Sequence, residues 1–204
     1  MESRPRIHLH NFGDEAVPVV VIDGFARDPN QWRKASETAD YQPLGDFYPG
    51  RRAAVPKAYF DDIGPLLGSI FRNAFGCTKN MSVDRALYSI VSTPASELNI
   101  AQRIPHIDDT GPDRFAMVHY LSHGNFGGTG FYRHRTSGFE TITAERHRAY
   151  LDLLDQDFAA NGVPEPGYIN GNTALFEQTG IIEHAYNRAV IYPGNLLHCS
   201  MTAD

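Results

Sequence analysis

The stretch "RIPHIDDTGPDRFAMVHYL", Arg103 to Leu121, puts a histidine and two acids into a short loop and then runs straight into an apolar segment. For His106, Asp108 and Asp109, three readings are open: a metal site, a catalytic acid–base pair, or a polar turn. The segment that follows decides more about the fold. Ala116, Val118 and Tyr120 alternate onto one face, and Phe115, Met117, His119 and Leu121 onto the other. Both faces are apolar, which predicts a central strand covered on both sides. His119 shares its face with Met117 and Leu121 and reads as a satisfied core histidine.

Similar short runs rich in β-branched and aromatic residues surround this strand. They are "RALYSIVS" from Arg85, "GGTGFYRH" from Gly127, "ALFEQTG" from Ala174 and "RAVIY" from Arg188, separated by Gly, Pro, Asn and Asp. One helical pattern interrupts the series. In "TITAERHRAYLDLLDQDFAANG", residues 141–162, Tyr150, Leu153, Leu154 and Phe158 recur at helical spacing before Asn161-Gly162. Upstream, "VPVVVID" reads as a buried strand, followed by a Gly24 turn and a helix that Asp28 caps and Pro29 opens. A second helix, Pro56 to Phe75, is expected to break at Gly64-Pro65 and to stop at Gly76. Helices first and antiparallel strands after predict one α+β domain over residues 1–204. It has an N-terminal strand and helices in 1–84 and a β core in 85–204, forming a double-sheet fold whose larger sheet is backed by the N-terminal helices.

The balance of 42% hydrophobic and 21% charged residues is that of an ordinary globular protein. Its 24 acidic against 18 basic residues, without runs of like charge, argue against a nucleic-acid partner. The apolar run Val17 to Ile22 is too short to span a membrane and badly placed for a secretion signal. Cys77 and Cys199, far apart, make neither a disulfide framework nor a structural zinc site. A cytoplasmic protein without a membrane partner is expected; the sequence leaves the oligomeric state open.

An H-x-D pair in an extended segment points both side chains to one side, so His106 and Asp108 can reach one ion. A second histidine from a neighbouring strand would complete a 2-His-1-carboxylate triad with open positions for substrates. We select His198, which stands in "NRAVIYPGNLLHCS" after a strand ending at Tyr192 and a Pro193-Gly194 turn. For the other histidines the plain readings are preferred. His123 and His134 flank the Gly127-Gly128 strand as solvated loop residues, His147 and His184 lie at the surface, and His8 and His10 sit in a segment without pattern. "GGTGFYRHR" lacks the Lys-Ser/Thr of a phosphate loop and opens no helix, so its glycines are read as starting a strand. Phe131, Tyr132 and Tyr192 are read as core aromatics, and Asp109 as a turn residue or a neighbour of the ligands.

"VVVIDGFARDP", "PHIDD" with "VHYLS", "GGTGFYRH" and "NRAVIYPGNLLHCS", in this order, resemble the Fe(II)/2-oxoglutarate-dependent dioxygenases of the prolyl-hydroxylase branch. The likeness extends over about residues 17 to 200, in pieces, with an unusual helical insertion near 141–162. It implies a double-stranded β-helix, a jelly roll of the cupin-like kind, with His106, Asp108 and His198 as iron ligands. It also implies Fe(II), with 2-oxoglutarate and O2 as co-substrates, and a Tyr120 phenol that helps hold 2-oxoglutarate. The family usually anchors that co-substrate with an Arg or Lys on a final strand, and this chain reaches Asp204 without one. Arg133 is then the first candidate anchor, ahead of Arg114 and Arg188, unless a continuation past Asp204 carries the residue.

The expected activity is hydroxylation of a small molecule or an amino-acid side chain, chosen by a pocket lip at Ser92 to Arg103 and by the inserted helix. Two rival readings stay open. One is a jelly-roll binding module that has lost 2-oxoglutarate; the other is a cupin-like metalloenzyme that does not use it.

Overall fold

The fold comes from a computed structural model that describes residues 4–45, 47–124 and 126–202. Two of its sheets lie face to face. The larger has the order β1-β2-β9-β6, built from β1 (Arg6–Phe12), β2 (Val17–Asp23), β6 (Phe115–Tyr120) and β9 (Arg188–Pro193). The smaller, β10-β7-β8, contains β7 (Gly128–His134), β8 (Phe176–Glu183) and β10 (His198–Met201). Every pairing is antiparallel. Val19 and Val21 of β2, Val190 and Tyr192 of β9, and Phe131 of β7 with Ile182 of β8 meet in one apolar layer between the sheets.

The alternate residues of the larger sheet face the other way. Val20, Ile22, Ala189 and Ile191 pack against Trp32 of α1 (Pro29–Glu37) and Tyr59, Ile63 and Ile70 of α2 (Ala58–Asn73). The N-terminal helices therefore back the larger sheet, as the hydrophobic pattern predicts. Asp28 caps α1 by accepting from the Gln31 N–H at 3.2 Å. The expected break in α2 does not occur: the helix runs through Pro65. An interior proline costs about 3 kcal/mol, while burial of Tyr59, Ile63 and Ile70 on the sheet contributes about 1.5–3 kcal/mol each. The packed face outweighs the lost hydrogen bond.

One further expectation is corrected. The strand Phe115–Tyr120 is covered on both faces, Met117 towards the helices and Val118 towards the second sheet. It nevertheless ends the sheet order and stays half-buried, while β2 and β9 hold the fully buried centre. Patterning reports what covers a strand's faces, and its edges are set by partners far away in sequence. Helix α3 (Ala144–Asn161) borders, through Asn161, a cavity that Arg103 also lines. Its Tyr150 and Leu154 pack on the outer face of the smaller sheet, against Tyr132, Phe176 and Leu197.

The sequence pattern does not reveal β1, an exposed strand that carries His8 and His10. It also misses most of a third sheet, in which β3 (Gln42–Pro43), β4 (Gly50–Ala54) and β5 (Leu87–Val91) pair in order. No helix among the described residues is long and apolar enough to cross a membrane.

Candidate metal centre

The His-Ile-Asp segment docks on β10 as a short antiparallel bridge. The His106 N–H donates to the His198 carbonyl and the His198 N–H to that of His106, both at 2.9 Å. The Asp108 N–H donates to the Gly194 carbonyl at 2.8 Å, so the Pro193-Gly194 turn fixes the other end. Between them Ile107 turns into the apolar layer under α3. Extended alternation then sends His106 and Asp108 to the opposite side.

On that side they meet His198. One ligand atom from each of His106, Asp108 and His198 lies within 4.8 Å of the others. His198 Nε2 stands 3.6 Å from Asp108 Oδ2, and the two imidazole centroids are 4.4 Å apart. A separation of 3.6 Å is too long for a hydrogen bond. It suits two donors on one ion, since ligands about 2.1 Å from a metal and roughly 90–120° apart stand about 3.0–3.6 Å from each other.

The donor chemistry fits as well. His198 Nδ1 lies 2.8 Å from the Leu196 carbonyl, which can only accept, so Nδ1 carries the proton and Nε2 keeps its lone pair. Burial pushes the His198 pKa down, partly opposed by Asp108 and the Leu196 carbonyl. Burial likewise lowers His106, to about 3, helped by neighbouring His198 and Arg52. The His106 ring is therefore neutral at pH 7. Two neutral imidazoles and a carboxylate are the form that binds a divalent ion.

Tyr120 reaches the same inter-sheet layer from β6, with its hydroxyl 2.6 Å from Thr129 Oγ1 on β7. Thr129 stands opposite Ser200 and Phe131 opposite His198, so this pair lies two residues, roughly 7 Å, along the strand from the level of His198. Gly127, at φ +80°, lets β7 enter there: a Cβ would overlap the Met201 carbonyl. Burial pushes the Tyr120 pKa up to about 12, keeping the phenol protonated.

The other anticipated anchors are occupied. Arg133 is held by Glu140, by Asp14 at 2.8 Å and by Glu177 at 3.3 Å. Arg188 donates to Asp23 at 2.7 Å, and Arg114 pairs with Asp84. Asp109 accepts from the Gly111 N–H at 2.7 Å as a turn residue. Asp204 lies outside the described residues. His147 is exposed, as expected.

His134 departs from the solvated-loop reading. It is fully buried beneath α3, between Tyr150 and Phe176, with Ser137 Oγ and Asp157 each 3.0 Å from a ring nitrogen. His184 is half-buried, its ring 4.9 Å from that of Tyr120. A cavity of about 470 Å³ bordered by Arg103, Ile104 and the 161–176 loop does not include the three ligands.

Two residues of the site escape the sequence reading. Tyr192, buried in the inter-sheet layer, places its ring 4.7 Å from that of His198. Arg52 of β4 acts electrostatically on both His106 and Asp108.

The chain belongs to a family of unknown function, DUF6445, whose pattern matches residues 3–204. No curated protein and no solved structure matches it.

Proposed function

We propose that this protein is an Fe(II)/2-oxoglutarate-dependent oxygenase that hydroxylates a small molecule or an amino-acid side chain. Its scaffold is a double-stranded β-helix, a cupin-like jelly roll. The observation that carries the reading is the convergence of His106, Asp108 and His198 at the interior edge of two facing antiparallel sheets, with His198 Nδ1 tied to the Leu196 carbonyl. A 2-His-1-carboxylate set holds an iron by one face and leaves the other positions for ligands. Bound Fe(II) would supply the O2 and redox chemistry that no side chain here can perform.

The chain's own residues have the remaining tasks. The bridge between His106 and His198 fixes two ligands through backbone hydrogen bonds, so little reorganisation is required when an ion enters. The buried Tyr192 ring covers one side of His198 and keeps water from it. The Tyr120 and Thr129 hydroxyls supply polar partners inside an otherwise apolar layer.

Anaerobic Fe(II) titration followed by succinate measurement tests the reading. Wild type should take up one Fe(II) and, with ascorbate, O2 and 2-oxoglutarate, release succinate; His198→Ala should lose both while keeping its circular dichroism spectrum. Absence of metal uptake by wild type overturns the proposal. Metal uptake without succinate favours a metalloenzyme that does not use 2-oxoglutarate, a reading supported by the engagement of Arg133 with three acids. Partner binding that is indifferent to iron would mark a binding module.

A further inference from the structure

A long connection joins α3 to β8. Residues 162–175 carry no regular structure, and connections of that kind beyond about 12 residues in a compact domain are usually functional. Two side-chain bonds tie this one to the 92–103 segment: the Tyr168 hydroxyl donates to the Thr93 carbonyl at 2.7 Å, and Arg103 Nη1 donates to the Pro164 carbonyl at 3.1 Å. The connection borders the cavity of about 470 Å³. Ile104, Ile169, Leu175 and Phe176 give that cavity an apolar floor, continuous with the core under α3. Its volume falls in the range of small-molecule pockets, roughly 300–1,000 Å³.

Two charged side chains line the cavity, and neither is neutralised. Arg103 is half-buried and gives Nε and Nη1 to the carbonyls of Leu98 and Pro164, at 2.8 and 3.1 Å; among the described residues no carboxylate lies within ion-pair distance of it. Carbonyls satisfy donors of the guanidinium without compensating its charge, and the planar fork has donors left for a further acceptor. Elsewhere in this fold half-buried arginines do meet acids, Arg133 meeting Glu140 and Arg188 meeting Asp23. Glu165 follows the Pro164 that Arg103 holds, and it is exposed without a salt bridge among the described residues. One cation and one anion, neighbours through Pro164 yet unpaired, thus stand over an apolar floor. The metal ligands do not line this cavity: Ile104 and Ile107 turn into the core under α3, while His106 and Asp108 turn to His198.

We propose that this cavity is a second ligand site, independent of the metal centre, that takes a free α-amino acid with a large apolar side chain. Arg103 takes the carboxylate, Glu165 the ammonium, and the floor of Ile169, Leu175 and Phe176 the side chain. The two unpaired charges also set the specificity. A plain apolar acid leaves Glu165 facing it as a repelling charge, and a plain amine meets Arg103 in the same way. Because the connection is already tied at Tyr168 and Pro164, little ordering is required when the ligand enters.

Calorimetry on the full chain, once in EDTA and once with Mn(II), tests this. The probes are L-phenylalanine and L-leucine, with 3-phenylpropionate, which lacks the ammonium, and phenethylamine, which lacks the carboxylate. Wild type should bind the amino acids equally with and without Mn(II), and phenylalanine more tightly than either analogue. Arg103→Gln should weaken phenylalanine about 10- to 100-fold, the scale of a lost charge-assisted hydrogen bond, and Glu165→Gln about 2- to 5-fold, the scale of an exposed ion pair. Arg103 also holds two carbonyls, so a second variant separates binding from folding. Gly167 lines the cavity and a Cβ there meets nothing within 4 Å, so Gly167→Trp should keep its circular dichroism spectrum and lose the amino acid. Binding that requires Mn(II) and vanishes in His198→Ala assigns the ligand to the metal centre and overturns the proposal. An analogue that matches phenylalanine, binding unmoved in Gly167→Trp, or no uptake of either amino acid by wild type overturns it too.

Discussion

His119 should make the protein lose stability steeply below pH 6.5. The ring packs edge-on against Phe25 at 5.0 Å and lies over Tyr59 at 5.9 Å. Asn187 Oδ1 already accepts from the Ala26 N–H, so it accepts again from His119 Nε2 at 3.1 Å, and the Tyr59 hydroxyl donates to Nδ1 at 2.8 Å. Every polar atom is satisfied with the ring neutral, and a second proton would face the Tyr59 hydroxyl. Burial, only partly opposed by Asn187 and Asp62, lowers the pKa to about 4 from 6.5. The unfolded chain then binds the proton more tightly than the native one, so stability rises with pH. The contribution is complete above about pH 6.5 and is lost as the pH falls towards 4. The full gap is worth roughly 3 kcal/mol, of which about 2 kcal/mol should be gone by pH 5. Urea unfolding of wild type and His119→Gln at about pH 7.5 and 5 isolates it, because the two proteins share every other titrating group. Their stability difference should change by about 2 kcal/mol in favour of the variant at the lower pH. A pH-independent difference would refute the neutral, buried assignment.

Tyr120→Phe should keep Fe(II) affinity, measured by anaerobic titration, cost about 1 kcal/mol in urea unfolding for the lost Thr129 hydrogen bond, and weaken 2-oxoglutarate in calorimetry. Gly127→Ala, which sets a methyl group against the Met201 carbonyl at φ +80°, should loosen β7 from β10 and lower metal affinity, although no ligand is touched. Arg133→Ala should act on stability rather than on ligand binding. It leaves Glu140, 1% exposed, without its ion pair and costs about 3–5 kcal/mol in urea, while 2-oxoglutarate affinity stays put.

The parts of the fold legible in the sequence are those whose cause is local. Val17–Asp23 is a run of β-branched residues buried on both faces, and Asp28-Pro29 carries its own helix start. β1 offers the opposite case. Six of its seven residues are exposed, Ile7 and Leu9 among them, so its short alternation buries little apolar surface, and pairing to β2 makes it a strand. The break expected at Gly64-Pro65 fails for a related reason: helix propensity is a local quantity, and the sheet beneath Tyr59, Ile63 and Ile70 is not.

The same division runs through the candidate site. Two of its ligands are legible because they are two residues apart and one strand's geometry aligns them. His198 is legible only through the turn at Pro193-Gly194, which returns the chain beside His106. Arg133 looked like an anchor by position, yet charge alone cannot tell a ligand-binding arginine from one that ties a turn to a sheet, as this one ties Asp14 and Glu140.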